Sequence, residues 1–441
     1  MTARTASSTP LERDARQVTA RGKTVEPGEI AIGVIIGRTS EFFDFFVYAI
    51  ASVLVFPTVV FPQFDRVTGT LLSFALFALA FVGRPFGTLL FTAIDRRYGR
   101  GVKLTIALFL LGGSTMAMAL LPPFHQVGIL SAGLLATFRF FQGVALGGAW
   151  DGMPSLLALN APKDKRGWYA MIPQLGAPLG LLVAAMLFSY FLAVLTPQDF
   201  LGWGWRYPFF VALAINVVAL FARLRLVATP EFQRLFESQE LQPSPPFATL
   251  FAQWRTIALG AVAPLASFAL FHLVTVFPLS WVTLFAHEAP VRFLLIEAVG
   301  AVVGILAMLA SGIIADRVGR RPLLGVSAVL IAAYSGFAPQ LLNAGGLGET
   351  AYMLVGFGLL GLAFGQSSGI VNSAFPPQYR YTGAAIVGNS AWLLGAGFAP
   401  LVALFLATRF GLWSVGAYLL SGAICTLGAL AVNREWGRKA S

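Results

Sequence analysis

Charge is scarce in this sequence of 441 residues, where Asp, Glu, Lys and Arg together supply 11% of the chain against roughly 25% in a soluble domain. So few ions cannot clothe a hydrated surface, which excludes an ordinary soluble fold. Cysteine is scarcer still. The one cysteine, Cys425, excludes an internal disulfide, and within an apolar run it reads as a small packing residue. Only three histidines occur, no Cys/His spacing suits a metal, and His287-Glu288 lacks the second His of an HExxH motif. No GxSxG elbow or P-loop is present, which argues against an enzyme and against an ATP-driven pump. No metal or organic cofactor is expected.

What fills the chain instead is apolar: 57% hydrophobic residues, 39 of them Phe, and a mean hydropathy of +0.77. A helix needs about 20 apolar residues to cross a bilayer. Seven stretches of that length or more hold no Asp, Glu, Lys or Arg: Thr105 to Thr137, Gly167 to Gln198, Thr256 to Ala286, Pro322 to Gly348, Thr350 to Tyr379, Tyr381 to Thr408 and Phe410 to Asn433. Dividing the chain at Pro/Gly breaks predicts twelve spans, over 30–56, 70–91, 104–122, 128–156, 168–195, 206–226, 256–284, 292–314, 322–342, 350–374, 383–407 and 411–432. Each suits a helix and exceeds a barrel strand. The expected fold is therefore an all-α, multi-pass membrane protein. Pro62, Pro85, Pro173, Pro178, Pro278 and Pro400 are expected to kink or end helices.

An even number of spans puts both termini on one side. Of the 30 Lys and Arg residues, 23 fall in segments on that side, among them Arg223, and four on the other. That asymmetry predicts cytoplasmic termini, and it accounts for the net charge of +11 without nucleic-acid binding. Residues 1–29 are polar, Arg-rich and without a cleavable signal pattern, and read as an unstructured cytoplasmic tail. A polar stretch, 227–255, lies near the midpoint as a cytoplasmic linker between bundles at 30–226 and 256–432, and 433–441 form a second tail. The halves echo each other. DRRYGR (95–100) after the second span matches DRVGRR (316–321) after the eighth, and KDKRGWYAMIPQLG (163–176) resembles QYRYTGAAIVGNSAWLLG (378–395). Two six-helix halves related by a repeat are a transporter plan, with the site between them.

GIIADRVGRR (312–321) carries every residue of the loop pattern G-x-x-x-D-R-x-G-R-R, with Gly312, Asp316, Arg317, Gly319, Arg320 and Arg321 in place. On this stretch the chain resembles the major facilitator superfamily. EFFDFFVY (41–48), RFFQGVALGGAWDG (139–152), KRGWYAMIPQLGAPLG (165–180), GWRYPFF (204–210), RLRLVATPEF (223–232) and FPPQYRYTGAAIVGN (375–389) resemble its metabolite:proton symporter branch over essentially residues 30–432. That resemblance implies the pseudo-two-fold fold of the superfamily and import of a solute such as citrate, 2-oxoglutarate, shikimate, or proline and betaine. It also implies gating roles for the second-half loop and for Asp95, Arg96, Arg97, Gly99 and Arg100 of the first. The first-half loop departs from the pattern, with Arg96 at the Asp position and Thr92 at the first Gly. A carboxylate moved by one residue points about 100° away around a helix. Ala149, Asn160 and Ala228 replace acids usual in the branch.

The residues themselves nominate a site. In GRTSEFFDFFVYAI (37–50), Arg38, Glu41, Asp44 and Tyr48 fall within about 80° of one helix face. A charge at the bilayer centre costs about 2.5–3.5 kcal/mol, so the stripe must face protein or a wet cavity. The competing reading is a structural Arg38–Glu41 pair. Arg139, with Gln142 on its face, is always charged and needs a carboxylate from the protein or a substrate, or else forms a static pair between spans 1 and 4. Glu41, Asp44, Arg139 and Asp151 are the proton-coupling candidates. Arg38, Tyr48, Arg139, Gln142, Gln174, His272, Asn389 and Trp392 are the substrate-binding candidates, with Gln174 and Asn389 matched by the repeat. Glu297 reads as a helix-end pair with Arg292. The expectation is a monomeric secondary importer of the inner membrane, taking a small carboxylate with a proton as the coupling ion. A drug or metabolite:proton antiporter is the alternative, and a transporter-like membrane sensor the alternative of another class.

Overall fold

A computed structural model describes residues 27–149, 157, 161–227, 242–286, 288–367 and 375–432. Asp151, Asn160, Ala228 and the tails lie outside them. Among the described residues twelve long helices cross the fold: α1 Pro27–Leu54, α2 Arg66–Tyr98, α3 Arg100–Ala119, α4 Leu130–Gly148, α5 Arg166–Val194, α6 Tyr207–Val227, α7 Leu265–Ala286, α8 Pro290–Val318, α9 Arg320–Leu342, α10 Gly346–Phe364, α11 Pro377–Phe410 and α12 Trp413–Val432. All but α1 are both long and apolar enough to cross a membrane. α1 falls short in apolarity alone, because Arg38, Glu41 and Asp44 stand inside its 28 residues.

Packing repeats with an offset of six. α2 lies on α4 as α8 lies on α10, α3 on α6 as α9 on α12, and across the halves α5 meets α8 as α11 meets α2. Side chains that miss this core face outward and are apolar, as Phe109, Phe221, Leu306 and Ile424 are, each more than half exposed. An apolar exterior around a core holding ions inverts the soluble pattern and fits lipid surroundings.

Glycine permits the closest seam. A Cβ on Gly143 would strike Ala80 O, and one on Gly147 would strike Arg84 O, so α2 and α4 approach at backbone distance. The predicted repeat is also conformational: Gly99 (φ 86°) joins α2 to α3 and Gly319 (φ 90°) joins α8 to α9, in a region that suits glycine. Proline acts unevenly. Pro85 lies inside α2, whereas Pro173 falls in the tight turn Ile172–Leu175. The span expected over 256–284 is broken between Trp254–Val262 and Leu265–Ala286, at Pro264. Beyond the membrane segments, Asp65 caps α2; hydrogen bonds from Thr68 and then Val67 hold its carboxyl below the usual range.

Candidate functional site

A cavity of about 100 Å³ lies between the halves, toward the side that bears the termini. α1 contributes Arg38 and Glu41, α2 Arg84, α5 Gln174, α6 Arg223, and α11 Asn389 and Trp392. Three arginines face one carboxylate. Glu41 is bonded through Oε2 to Arg38 and through Oε1 to Arg223, whose Nη1 also donates to Ala149 O at 2.9 Å. Gly37 makes room for this, since a Cβ there would strike the Arg223 guanidinium. Arg84 stacks over Trp392 with Cζ 5.7 Å from the ring centroid, and its Nε has no protein partner. Gln174 Oε1 is also unpartnered, and Asn389 Nδ2 donates to Thr88 Oγ1 at 2.7 Å across the halves. The repeat-matched pair thus shares one cavity.

The remaining site residues form a second, sealed group. Arg139 is fully buried; its Nε donates to Phe77 O at 3.2 Å, its Nη1 to Gln142 Oε1, and its Cζ lies 4.0 Å from the Tyr48 ring centroid and 4.8 Å from that of Phe77. Gln142 in turn donates to Thr115 Oγ1 at 2.8 Å. Neither a static pair with α1 nor any other carboxylate within ion-pair distance of Arg139 occurs among the described residues, and its Nη2 lacks a partner. Aromatic faces take that role. Asp44 accepts from Asn216 Nδ2 at 2.6 Å, while Ser40 Oγ donates to Asn216 Oδ1 at 2.7 Å. Asp44 Oδ1, Tyr48 OH and His272 Nε2 are buried without partners. Phe45 stacks on His272 at 5.1 Å and, with Phe81 and Trp392, walls this group off from the cavity.

Below the cavity the halves are latched. Asp316 at the end of α8 accepts from the first amides of α5, Gly167 and Trp168 (3.1 Å to the latter), Arg320 donates to Arg166 O, and Gln366 Nε2 donates to Gly167 O at 3.1 Å. A Cβ on Gly312 would sit 3.1 Å from Trp168 Cα. In the first half the corresponding position is exposed Arg96, and Asp95 is turned inward onto Arg100 (3.4 Å) and Lys103 (3.5 Å). The link to α11 then runs through Lys103 Nζ, which donates to Tyr381 OH at 2.8 Å, and through Arg100 over the Tyr381 ring at 4.6 Å. Arg97 stacks on Tyr98, exposed Arg317 takes no part in the latch bonds, and Arg321 donates to Leu430 O at 2.7 Å within the second half.

Some residues escaped sequence reasoning. Arg223, counted with the polar linker, lies inside α6 and is 3% exposed. Asn216 stands seven residues before it, nearly on the same helix face, and that polar pair in an apolar span was the available signal. Arg84 falls within a span, as Arg38 and Arg139 do, and that lone charge was its signal; Thr115 carried no pattern of its own. The expected Arg292–Glu297 pair is not formed: Arg292 bonds Glu288 and lies 3.5 Å from Glu349, both toward the helix end.

Known proteins share this plan. The Major Facilitator Superfamily profile matches residues 42–397. The chain is 37% identical over 438 residues to the inner membrane metabolite transport protein YhjE of Escherichia coli (strain K12), covering 98% of each. It is 31% identical to the shikimate transporter of the same organism, covering 91% of this chain and 92% of that one. Among solved structures, that of a D-xylose–proton symporter superposes with a TM-score of 0.70 at 19% identity, covering 91% of this chain and 96% of the other.

Proposed function

The chain belongs to the major facilitator superfamily, and from that premise we propose that it imports a small organic anion across the inner membrane with a proton, by alternating access of its two halves. Transport without chemistry accords with a sequence that lacks nucleophile and metal motifs. The observation that carries the anion is the cavity lining: Arg38, Arg84 and Arg223 against Glu41 leave a surplus of positive charge where both halves meet. A guanidinium offers a planar two-donor contact to a carboxylate, and Arg84, which unlike Arg38 and Arg223 has no carboxylate partner among the described residues, is the one placed to make it. Gln174 and Asn389 supply neutral polar contacts from opposite halves, and Trp392 an apolar wall.

Proton coupling is assigned to α1. Glu41 is held by two arginines, so protonating it breaks two ion pairs and frees Arg38 and Arg223 for a bound anion. Among the described residues Asp44 has one donor, the neutral amide of Asn216, and can change protonation without losing an ion pair. Arg139 lies deeper, beyond the aromatic layer, as the next positive station for an anion that crosses it. The positive-inside asymmetry supports cytoplasmic termini, which places the latch and cavity toward the cytoplasm.

Purified protein in liposomes with an inward proton gradient tests the reading. Labelled shikimate and other carboxylates, with betaine as the zwitterionic comparison, should include a solute that accumulates until a protonophore is added. Asp44→Asn should abolish accumulation while leaving equilibrative exchange. Gradient-driven loss of the solute would mean antiport, no movement of any solute would mean a sensor, and wild-type accumulation by Asp44→Asn would remove that residue from the mechanism.

A further inference from the structure

One buried acid has no part in the reading above. Glu297 lies seven residues into α8, about 10 Å along it from Pro290. It is 1% exposed, and neither Oε1 nor Oε2 has a hydrogen-bond partner among the described residues. The buried ionisable groups of α7, α9 and α10 have other surroundings. Tyr352 OH of α10 donates to Leu273 O at 2.5 Å, Tyr334 OH of α9 donates to Tyr352 O at 2.9 Å, and Glu349 faces Arg292. His272 of α7 sits among aromatic rings, with Nδ1 3.4 Å from Thr275 Oγ1. On α8 itself Asp316 is bonded to α5, more than five turns away.

The position of Glu297 is defined by the seam between the halves. Gly304 and Met308 stand seven and eleven residues further on, within about 20° of the same face. Both line a small apolar pocket that the first half closes with Phe46 and Pro178. α8 runs antiparallel to α5 there: a Cβ on Gly304 would lie 3.9 Å from Pro178 Cβ, and one on Gly312 3.1 Å from Trp168 Cα. Continued toward the start of α8, this register brings Glu297 level with Ala185, on the side opposite the latch. A carboxyl without donor or cation in the closed seam needs a proton there or a partner in another state.

We propose that Glu297 is a further proton-binding residue of the transport cycle, beyond Glu41 and Asp44, holding a proton while the α5–α8 seam is closed and exchanging it with water when that seam parts. This extends the proton-symport reading and rests on it. The exchange is a simple acid–base step: the carboxylate takes a proton from water on one occasion and returns it on another.

Infrared difference spectra of the full-length protein in nanodiscs, stepped between alkaline and acid pH, report the carbonyl stretch of a carboxyl that gains a proton. The expected result is a pH-dependent band present in wild type and in Asp44→Asn, absent from Glu297→Gln, and restored at a shifted frequency in Glu297→Asp. The restored band separates loss of the group from loss of the fold. A band that survives in Glu297→Gln, that is missing from both Glu297 variants, or that does not respond to pH overturns the proposal. The Asp44→Asn accumulation assay is independent of this band, so failure of one reading is distinguishable from failure of the other.

Discussion

Asp316→Asn tests the latch most directly, and its size can be worked from the contacts. Asp316 accepts from the backbone amides of Gly167 and Trp168 at the start of α5. A hydrogen bond to an ionised acceptor contributes about 1.5–3 kcal/mol and a neutral one about 0.5–1.5; the two amides use different carboxylate oxygens and Asn has one acceptor oxygen, so it weakens one bond by about 1 kcal/mol and forfeits the other. The loss of a negative charge at a helix N-terminus adds about 0.3–1 kcal/mol. The closed state is thereby weakened by about 3–5 kcal/mol, a shift of roughly 150- to 5,000-fold toward opening. Gly388 gives the reporter: it lines the cavity, and a Cβ there meets nothing within 4 Å. In a Cys425→Ser background, Gly388→Cys should react with a bulky maleimide in nanodiscs faster by that factor when Asp316→Asn is added. Asp95→Asn should act less, because Asp95 reaches α11 indirectly, through Lys103 and Arg100 on Tyr381. Exposed Arg317→Gln is the control, and a labelling rate that rises no more in Asp316→Asn than in that control refutes the latch.

Other outcomes follow from the same contacts. Arg223→Met removes one of the two arginines on Glu41 while Arg38 keeps the carboxylate paired, and should destabilise the protein by about 1.5–3 kcal/mol, read as a lower midpoint of thermal unfolding, with part recovered by adding Glu41→Gln; equal midpoints with and without Glu41→Gln would mean the pair is uncoupled. Asn216→Leu strips Asp44 of its donor and leaves Ser40 unpaired, which should cost about 1–3 kcal/mol by the same measurement. Arg139→Lys replaces a planar cation stacked near Tyr48 and Phe77 with a point charge and should lose most uptake. Unchanged uptake would make Arg139 a packing residue.

The sequence announced α1 clearly, because Arg38, Glu41 and Asp44 at three-residue spacing are costly anywhere except on an inward face. It also announced the shared cavity of Gln174 and Asn389, since a repeat puts equivalent positions at equivalent depths. Partner choice was less legible. Glu41 takes Arg223 across 182 positions, and Asp44 takes Asn216 across 172. Arg139 takes aromatic faces where a carboxylate was the natural guess.

Taken alone, the amino-acid sequence determined the membrane setting, the twelve spans, the six-plus-six repeat and the displaced first-half acid, all of which follow from local apolarity, charge spacing and motif register. Only the tertiary structure decided that the arginines divide between a cavity at the seam of the halves and a sealed aromatic layer, that Lys103 and Tyr381 take over the link to α11, and that Glu297 is left without a partner among the described residues. The physical reason is that helix periodicity fixes the face on which a side chain lies, whereas its partner is set by which helix packs opposite and at what register.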